Sequence, residues 1–162
     1  MNYIFETRME VRDYECDIEG IVNNANYLHY IEHTRHLFLR SLDLSFAKMH
    51  EQGTDAVVAR MSLQYKTPLK CDDIFISRLA LKKEGLRYIF HQDIFREQDD
   101  KLCFKSKVEL VCLIMAVWGI VRSTIARLLN IYEHDRPTRD HQHYRFDTHQ
   151  PFSSHGNGSV VS

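Results

Sequence analysis

The chain has no surplus of either charge. Its 21 Lys and Arg face 22 Asp and Glu, for a formal net charge of -1. Nucleic acid and anionic membrane both select a basic surface, so neither is an expected partner. Cysteine is sparse: Cys16, Cys71, Cys103 and Cys112 form no C-x-x-C pair and share no regular spacing. A disulfide framework is therefore not expected, and reduced thiols in the cytoplasm are. Long hydrophobic stretches are missing too. The longest apolar run, Leu110 to Val121, is too short to span a bilayer, and Met1-Asn2-Tyr3-Ile4-Phe5-Glu6 lacks the apolar run of a signal peptide. Neither a G-x-x-x-x-G-K-[ST] nor a G-x-G-x-x-G string occurs, which argues against nucleotide hydrolysis and dinucleotide binding. There is no internal repeat.

What is present is ordinary for a globular chain. With 162 residues, 44% hydrophobic and 27% charged, one domain with a modest tail is expected. Residues 3–12 alternate Ile4, Met9 and Val11 with Glu6, Arg8, Glu10 and Arg12, which predicts a half-buried strand. Residues 13–23 form a loop turning at Gly20. Asn23 or Asn24 can cap a helix beginning near Ala25, with Asn23 the better side-chain cap. Apolar residues then recur at Tyr27, Leu28, Ile31, Leu37, Phe38 and Leu42, with Glu32, His33, Arg35, His36 and Arg40 in the gaps. Four strand-like runs follow, at 55–65, 72–83, 86–97 and 102–114. Thr67-Pro68-Leu69, Glu84-Gly85 and Gln98-Asp99-Asp100 separate them as turns. Short turns between long strands predict an antiparallel meander, and one long helix on such a sheet is an α+β domain. Residues 115–133 read as a short helix. Residues 134–162, rich in His, Asp, Ser and Gly, read as a disordered tail.

The chemistry concentrates in Asp13-Tyr14-Glu15-Cys16-Asp17-Ile18-Glu19-Gly20-Ile21-Val22-Asn23-Asn24. An acidic residue and a glycine turn stand directly ahead of a long helix. A carboxylate beside the unpaired N–H groups of a helix start suits attack on a polarised carbonyl. Asp17 could act as nucleophile or as general base, or simply bond its own loop backbone, as Asp commonly does before a glycine turn. The N–H of Asn24 could polarise the carbonyl, or Asn24 could serve only the cap. Tyr14 and Glu15 read as solvent-facing loop residues. Cys16, with no partner His in sequence, reads as a packed small residue rather than a nucleophile.

Several of these residues carry a resemblance. Asp17-Ile18-Glu19-Gly20-Ile21-Val22, then Asn26-Tyr27 and Glu32-His33-Thr34-Arg35, resemble the signature of the 4-hydroxybenzoyl-CoA thioesterase family of hotdog-fold proteins. The likeness covers roughly residues 3–113 and is strongest over 11–36. It implies a hotdog fold, with a central helix wrapped by a curved antiparallel sheet of about five strands, spanning residues 1–114. It also implies an acyl-CoA thioesterase that needs neither metal nor separate cofactor, since CoA arrives as part of the substrate. Asp17 maps onto the family's acid and the Asn24 backbone N–H onto its carbonyl activator. Gly20, Ile21, Val22, Asn23 and Tyr27 map onto substrate contacts. Homodimers joined edge to edge, or homotetramers as dimers of dimers, are implied, with the active site between subunits. Residues 115–162 depart from the family pattern, and this atypical extension suggests a truncated or frame-shifted end.

Other motifs weigh less. His29-Tyr30-Ile31-Glu32-His33 matches the H-x-x-E-H string of one zinc peptidase class, but no third ligand segment follows. A polar outer helix face, with Glu32 pairing with Arg35 or His36, is expected instead. The tail histidines and the strand-end lysines receive no role. Two alternatives stand beside the acyl-CoA thioesterase: a thioesterase acting on acyl-carrier protein, and a non-catalytic hotdog protein that binds acyl thioesters.

Overall fold

A computed structural model of the chain describes residues 1–114 and the pair 145–146. In chain order the elements are β1 (Phe5–Glu10), a 3-10 turn (Asp13–Glu15), α1 (Asn24–Ser41), α2 (Phe46–Glu51), β2 (Thr54–Tyr65), β3 (Ile74–Glu84), β4 (Arg87–Arg96), β5 (Lys101–Ile114) and β6 (Arg145–Phe146). The helix and the five long strands fall where the periodicity places them. The short α2 was not expected. Its six residues are too few to show a period, although Ser45 caps it by accepting from the Lys48 amide at 3.1 Å.

The strands form one sheet in the order β2-β5-β4-β3-β1-β6. β3, β4 and β5 are a meander as expected, with Leu81 opposite Phe90 and Phe90 opposite Val108. β2 departs from the meander. It does not pair with β3 but crosses to the far side of β5, placing Ala56 opposite Cys112 and Leu63 opposite Ser106. The segment between β2 and β3 makes no tight hairpin. Its Lys70 bridges Ile21 and its Leu69 carbonyl accepts from the Val22 amide at 2.9 Å, so this connection closes the loop ahead of α1. β6 lies parallel to β1 and forms a strand where no element was expected. The predicted helix over 115–133 and the tail apart from 145–146 lie outside the described residues. Among the described residues, no helix is long and apolar enough to cross a membrane.

α1 packs on the inner face of the sheet. Its buried residues are Tyr27, Tyr30, Ile31, Thr34, Arg35, Phe38 and Leu39, a stripe at helical spacing. Rings carry much of the contact: Tyr30 meets Phe75 at 4.7 Å between centroids, Tyr27 stacks on Phe104 at 5.0 Å, and Phe38 meets Phe90 edge-on at 6.4 Å. Arg35 corrects the expected helix pattern. It sits inside the stripe, 4% exposed, and donates through Nη1 to Gln92 Oε1 at 2.9 Å rather than pairing with Glu32. Gln92 in turn donates to the Ile31 carbonyl at 2.8 Å. Burial pulls the Arg35 pKa below its ordinary value, and the nearby Glu32 charge opposes that shift. Leu28, Leu37 and Leu42, expected in the apolar stripe, lie half-buried at its margin.

β2 is an edge strand. It pairs with β5 on one side and leaves Val57, Val58, Met61 and Tyr65 exposed.

Candidate active site

The site grows out of the end of β1. Val11, 1% exposed, is locked to the segment before β3: its amide donates to Asp73 O at 2.9 Å, and its carbonyl accepts from the Asp72 amide at 3.1 Å. From this fixed point the chain makes the 3-10 turn and enters a closed loop. Cys16 bridges Val22 across its neck. The Asp17 amide donates to Ile21 O at 2.8 Å and the Gly20 amide to Asp17 O at 3.0 Å, which folds the tip into a turn. Gly20 adopts φ +73° there, a conformation costly for residues with a Cβ.

Asp17 lies within this turn. Its Oδ1 accepts from the Glu19 amide at 3.0 Å and the Ile21 amide at 3.4 Å. The loop-bonding reading of Asp17 therefore describes one carboxylate oxygen. The other, Oδ2, has no hydrogen-bond partner among the described residues. One oxygen is thus held by the turn and the other is not.

Beyond the neck, Asn23 caps α1, its side chain accepting from the Ala25 amide at 3.0 Å. The Asn26 amide donates to Asn23 O at 2.9 Å. Of these first helical amides, Asn24's alone has no acceptor among the described residues, and it lies at the positive end of the helix dipole. Tyr65, from the end of β2, donates to the Asn24 carbonyl at 3.2 Å. Asp17 is one residue and Asn24 two residues from the Cys16–Val22 pair, so the same bridge holds both arms of the loop.

The remaining predicted site residues divide in two. Gly20 and Asn23 are exposed and Ile21 is half-buried. Val22 and Tyr27 are core residues, each 4% exposed. The Tyr27 hydroxyl accepts from the Leu69 amide at 3.1 Å, and burial raises its pKa although that amide bond opposes the rise.

Glu15 is where the sequence reading was wrong. It is buried, at 8% exposure, not solvent-facing. Its Oε2 accepts from the Arg12 amide at 2.8 Å and from the Tyr30 hydroxyl at 2.7 Å, and its Oε1 pairs with the Arg12 guanidinium at 3.3 Å. The hydroxyl of Tyr30 is held above its ordinary pKa, first by burial and then by this bond. Only half of a capping arrangement is present, the Glu15 carboxylate accepting from the Arg12 amide, because arginine has no side-chain acceptor for the return bond, so the sequence carried no capping signature. Tyr14 is 74% exposed, as expected. Burial, then the carboxylates of Asp17 and Glu15, push the Cys16 thiol above its ordinary range, which makes it a poor nucleophile. His29, Glu32 and His33 lie exposed on α1. All four cysteines are free thiols.

A profile of the Thioesterase-like superfamily matches residues 11–117. ATL3 of Arabidopsis thaliana, a chloroplastic acyl-acyl carrier protein thioesterase, is 29% identical over 108 residues, covering 66% of this chain and 57% of ATL3. The chain thus spans just over half of that relative. FadM of Escherichia coli, a long-chain acyl-CoA thioesterase, is 28% identical over 109 residues, or 67% of this chain and 82% of FadM. Among solved structures, a 4-hydroxybenzoyl CoA thioesterase variant complexed with 4-hydroxybenzoyl CoA superposes with a TM-score of 0.62 at 13% identity, covering 71% of this chain and 87% of that one. At that identity the match speaks for the fold.

Proposed function

We propose an acyl-CoA thioesterase on one premise: this chain belongs to the Thioesterase-like superfamily and has the hotdog fold. It hydrolyses an acyl-CoA to the free acid and CoA. The observation that carries the reading is a pair of open groups on one bridged loop, the Asp17 Oδ2 and the Asn24 N–H. The Asn24 N–H donates to the thioester carbonyl as negative charge develops on its oxygen. One such donor is typically worth about 2.7–4 kcal/mol in the transition state. Asp17 supplies the other half by one of two routes. As nucleophile, Oδ2 bonds to the acyl carbon, the C–S bond breaks and CoA leaves as thiolate; water then opens the mixed anhydride. As general base, Oδ2 takes a proton from water as its oxygen bonds to the acyl carbon; the tetrahedral intermediate then collapses, the C–S bond breaks and CoA leaves as thiolate, which the Asp17 proton neutralises. Acyl-protein trapped in rapid-quench turnover marks the first route.

Gly20, Ile21 and Asn23 line the substrate side of the loop, and Val22 and Tyr27 support it from behind. The reaction needs no metal, so chelator leaves the rate unchanged. The exposed edge of β2 suits pairing with a second copy, giving a homodimer or a homotetramer, to be checked by light scattering. Free thiols fit a cytoplasmic protein. Likeness to ATL3 favours a second reading, in which the acyl group is carried by a carrier protein. The deciding experiment measures thiol release from a panel of acyl-CoAs, and from the same acyl groups on carrier protein, for wild type and Asp17→Asn. Equal turnover by the two proteins removes Asp17 from the mechanism.

A further inference from the structure

We propose that Glu15 is a positioning residue for this reaction, holding the Asp17 loop and the Asn24 amide in fixed relation. The inference rests on the thioesterase reading. A buried carboxylate is costly unless it is hydrogen-bonded, and Glu15, at 8% exposure, is bonded on every side. Its carboxylate receives the Arg12 amide, the Arg12 guanidinium and the Tyr30 hydroxyl. Its backbone carbonyl receives two more donors, the Asn23 amide at 2.9 Å and Asn26 Nδ2 at 2.7 Å.

These bonds come from three places. Arg12 lies just after β1, Asn23 is the helix cap, and Asn26 and Tyr30 belong to the first turns of α1. Capping the 3-10 turn accounts only for the Arg12 contacts. The Tyr30 bond and the doubly used carbonyl tie that turn to the helix. Tyr30 is a firm anchor, since its ring is wedged between Tyr27 at 6.0 Å and Phe75 at 4.7 Å. Asp17 lies two residues after Glu15, and Asn24 directly follows Asn23. Glu15 therefore sits where the segment carrying the acid and the segment carrying the donor are joined, and it needs no contact with substrate to set their spacing. Misplacement of reacting groups by about 1 Å can cost on the order of 10²-fold in rate.

The test compares Glu15→Ala with Glu15→Gln, below the melting temperature of both. A glutamine carbonyl oxygen in place of Oε2 still accepts from the Arg12 amide and the Tyr30 hydroxyl, losing only the exposed guanidinium contact. The expected result is that Glu15→Ala lowers kcat by about 10²-fold with KM changed by less than about threefold, while Glu15→Gln recovers most of kcat. Backbone amide exchange over residues 13–26 should quicken in the alanine variant and not in the glutamine one. A folded Glu15→Ala that keeps its kcat overturns the proposal. So does a loss that glutamine fails to rescue and that follows melting temperature alone. Should the wild type release no thiol from any acyl-CoA or acyl-carrier protein, the thioesterase reading fails by itself. The exchange measurement still judges Glu15 in that case: unchanged exchange in Glu15→Ala overturns its role, and quickened exchange upholds its hold on the loop.

Discussion

The two ends of α1 are built on different physics. At its start, directional bonds set every position: the Asn23 cap, the Glu15 carboxylate and carbonyl, and the Asp17 turn, mostly at 2.7–3.0 Å. At its far end, Leu39, Phe46, Met49, Ala56, Leu81, Tyr88, Phe90, Leu110 and Cys112 line a small apolar cavity of ≈ 20 Å³. There the buried Tyr88 hydroxyl has no hydrogen-bond partner among the described residues. Hydrogen bonds weaken steeply with angle and distance, whereas apolar contact is non-directional and tolerates slack. The end holding the proposed chemistry is bonded to the loop ahead of it, whereas the bonds at the far end stay within the helix's own last turn, the Leu42 and Leu44 amides donating to the Leu39 carbonyl at 3.0 and 2.9 Å.

Substitutions can break or sharpen that contrast. The largest effect belongs to Asp17→Asn: turnover should fall by about 10²–10⁴-fold, with little change in melting temperature, because an asparagine oxygen still accepts from the Glu19 and Ile21 amides. Leu39→Ala at the opposite end should cost about 2–5 kcal/mol in urea unfolding, the range for a buried leucine, and it should spare kcat. The same tyrosine-to-phenylalanine change then separates the two ends. Tyr30→Phe removes a hydrogen bond to a buried carboxylate and should destabilise by about 1.5–3 kcal/mol. Asn23→Ala should cost about 1 kcal/mol through the lost cap, visible as a lower melting temperature. Tyr88→Phe should be neutral within about 0.5 kcal/mol or slightly stabilising, since it deletes an unbonded hydroxyl; a marked loss there would show that the far end, too, relies on directional contacts.

Elements set by local pattern were legible in the sequence. The extent of α1, the Asn23 cap and the long strand runs follow from spacing and turn residues within a few positions, while the buried face of α1 was legible only at Tyr27, Ile31 and Phe38. Features that depend on distant partners were not. Nothing near Thr54–Tyr65 announces that β2 pairs with β5 rather than β3, because the partners that receive it, such as Cys112 opposite Ala56 and Ser106 opposite Leu63, lie far along the chain. Arg35 read as a surface charge because its partner, Gln92, lies on β4. Glu15 read as a loop acid because Tyr30 and Asn26 reach it only after α1 has docked. The Asp17 turn was legible through Gly20, while the unequal bonding of its two carboxylate oxygens required coordinates.

Tyr65 gives the outer margin of the sheet a line to the interior of the site. It stands at the last position of an edge strand, nearly half exposed, and its hydroxyl donates to the carbonyl of Asn24, the residue whose amide is proposed to polarise the thioester. If a second copy pairs along that margin, as proposed, it would bear on this one phenol and, through it, on the peptide groups either side of residue 24, so that assembly and the proposed carbonyl donor would share a mechanical link.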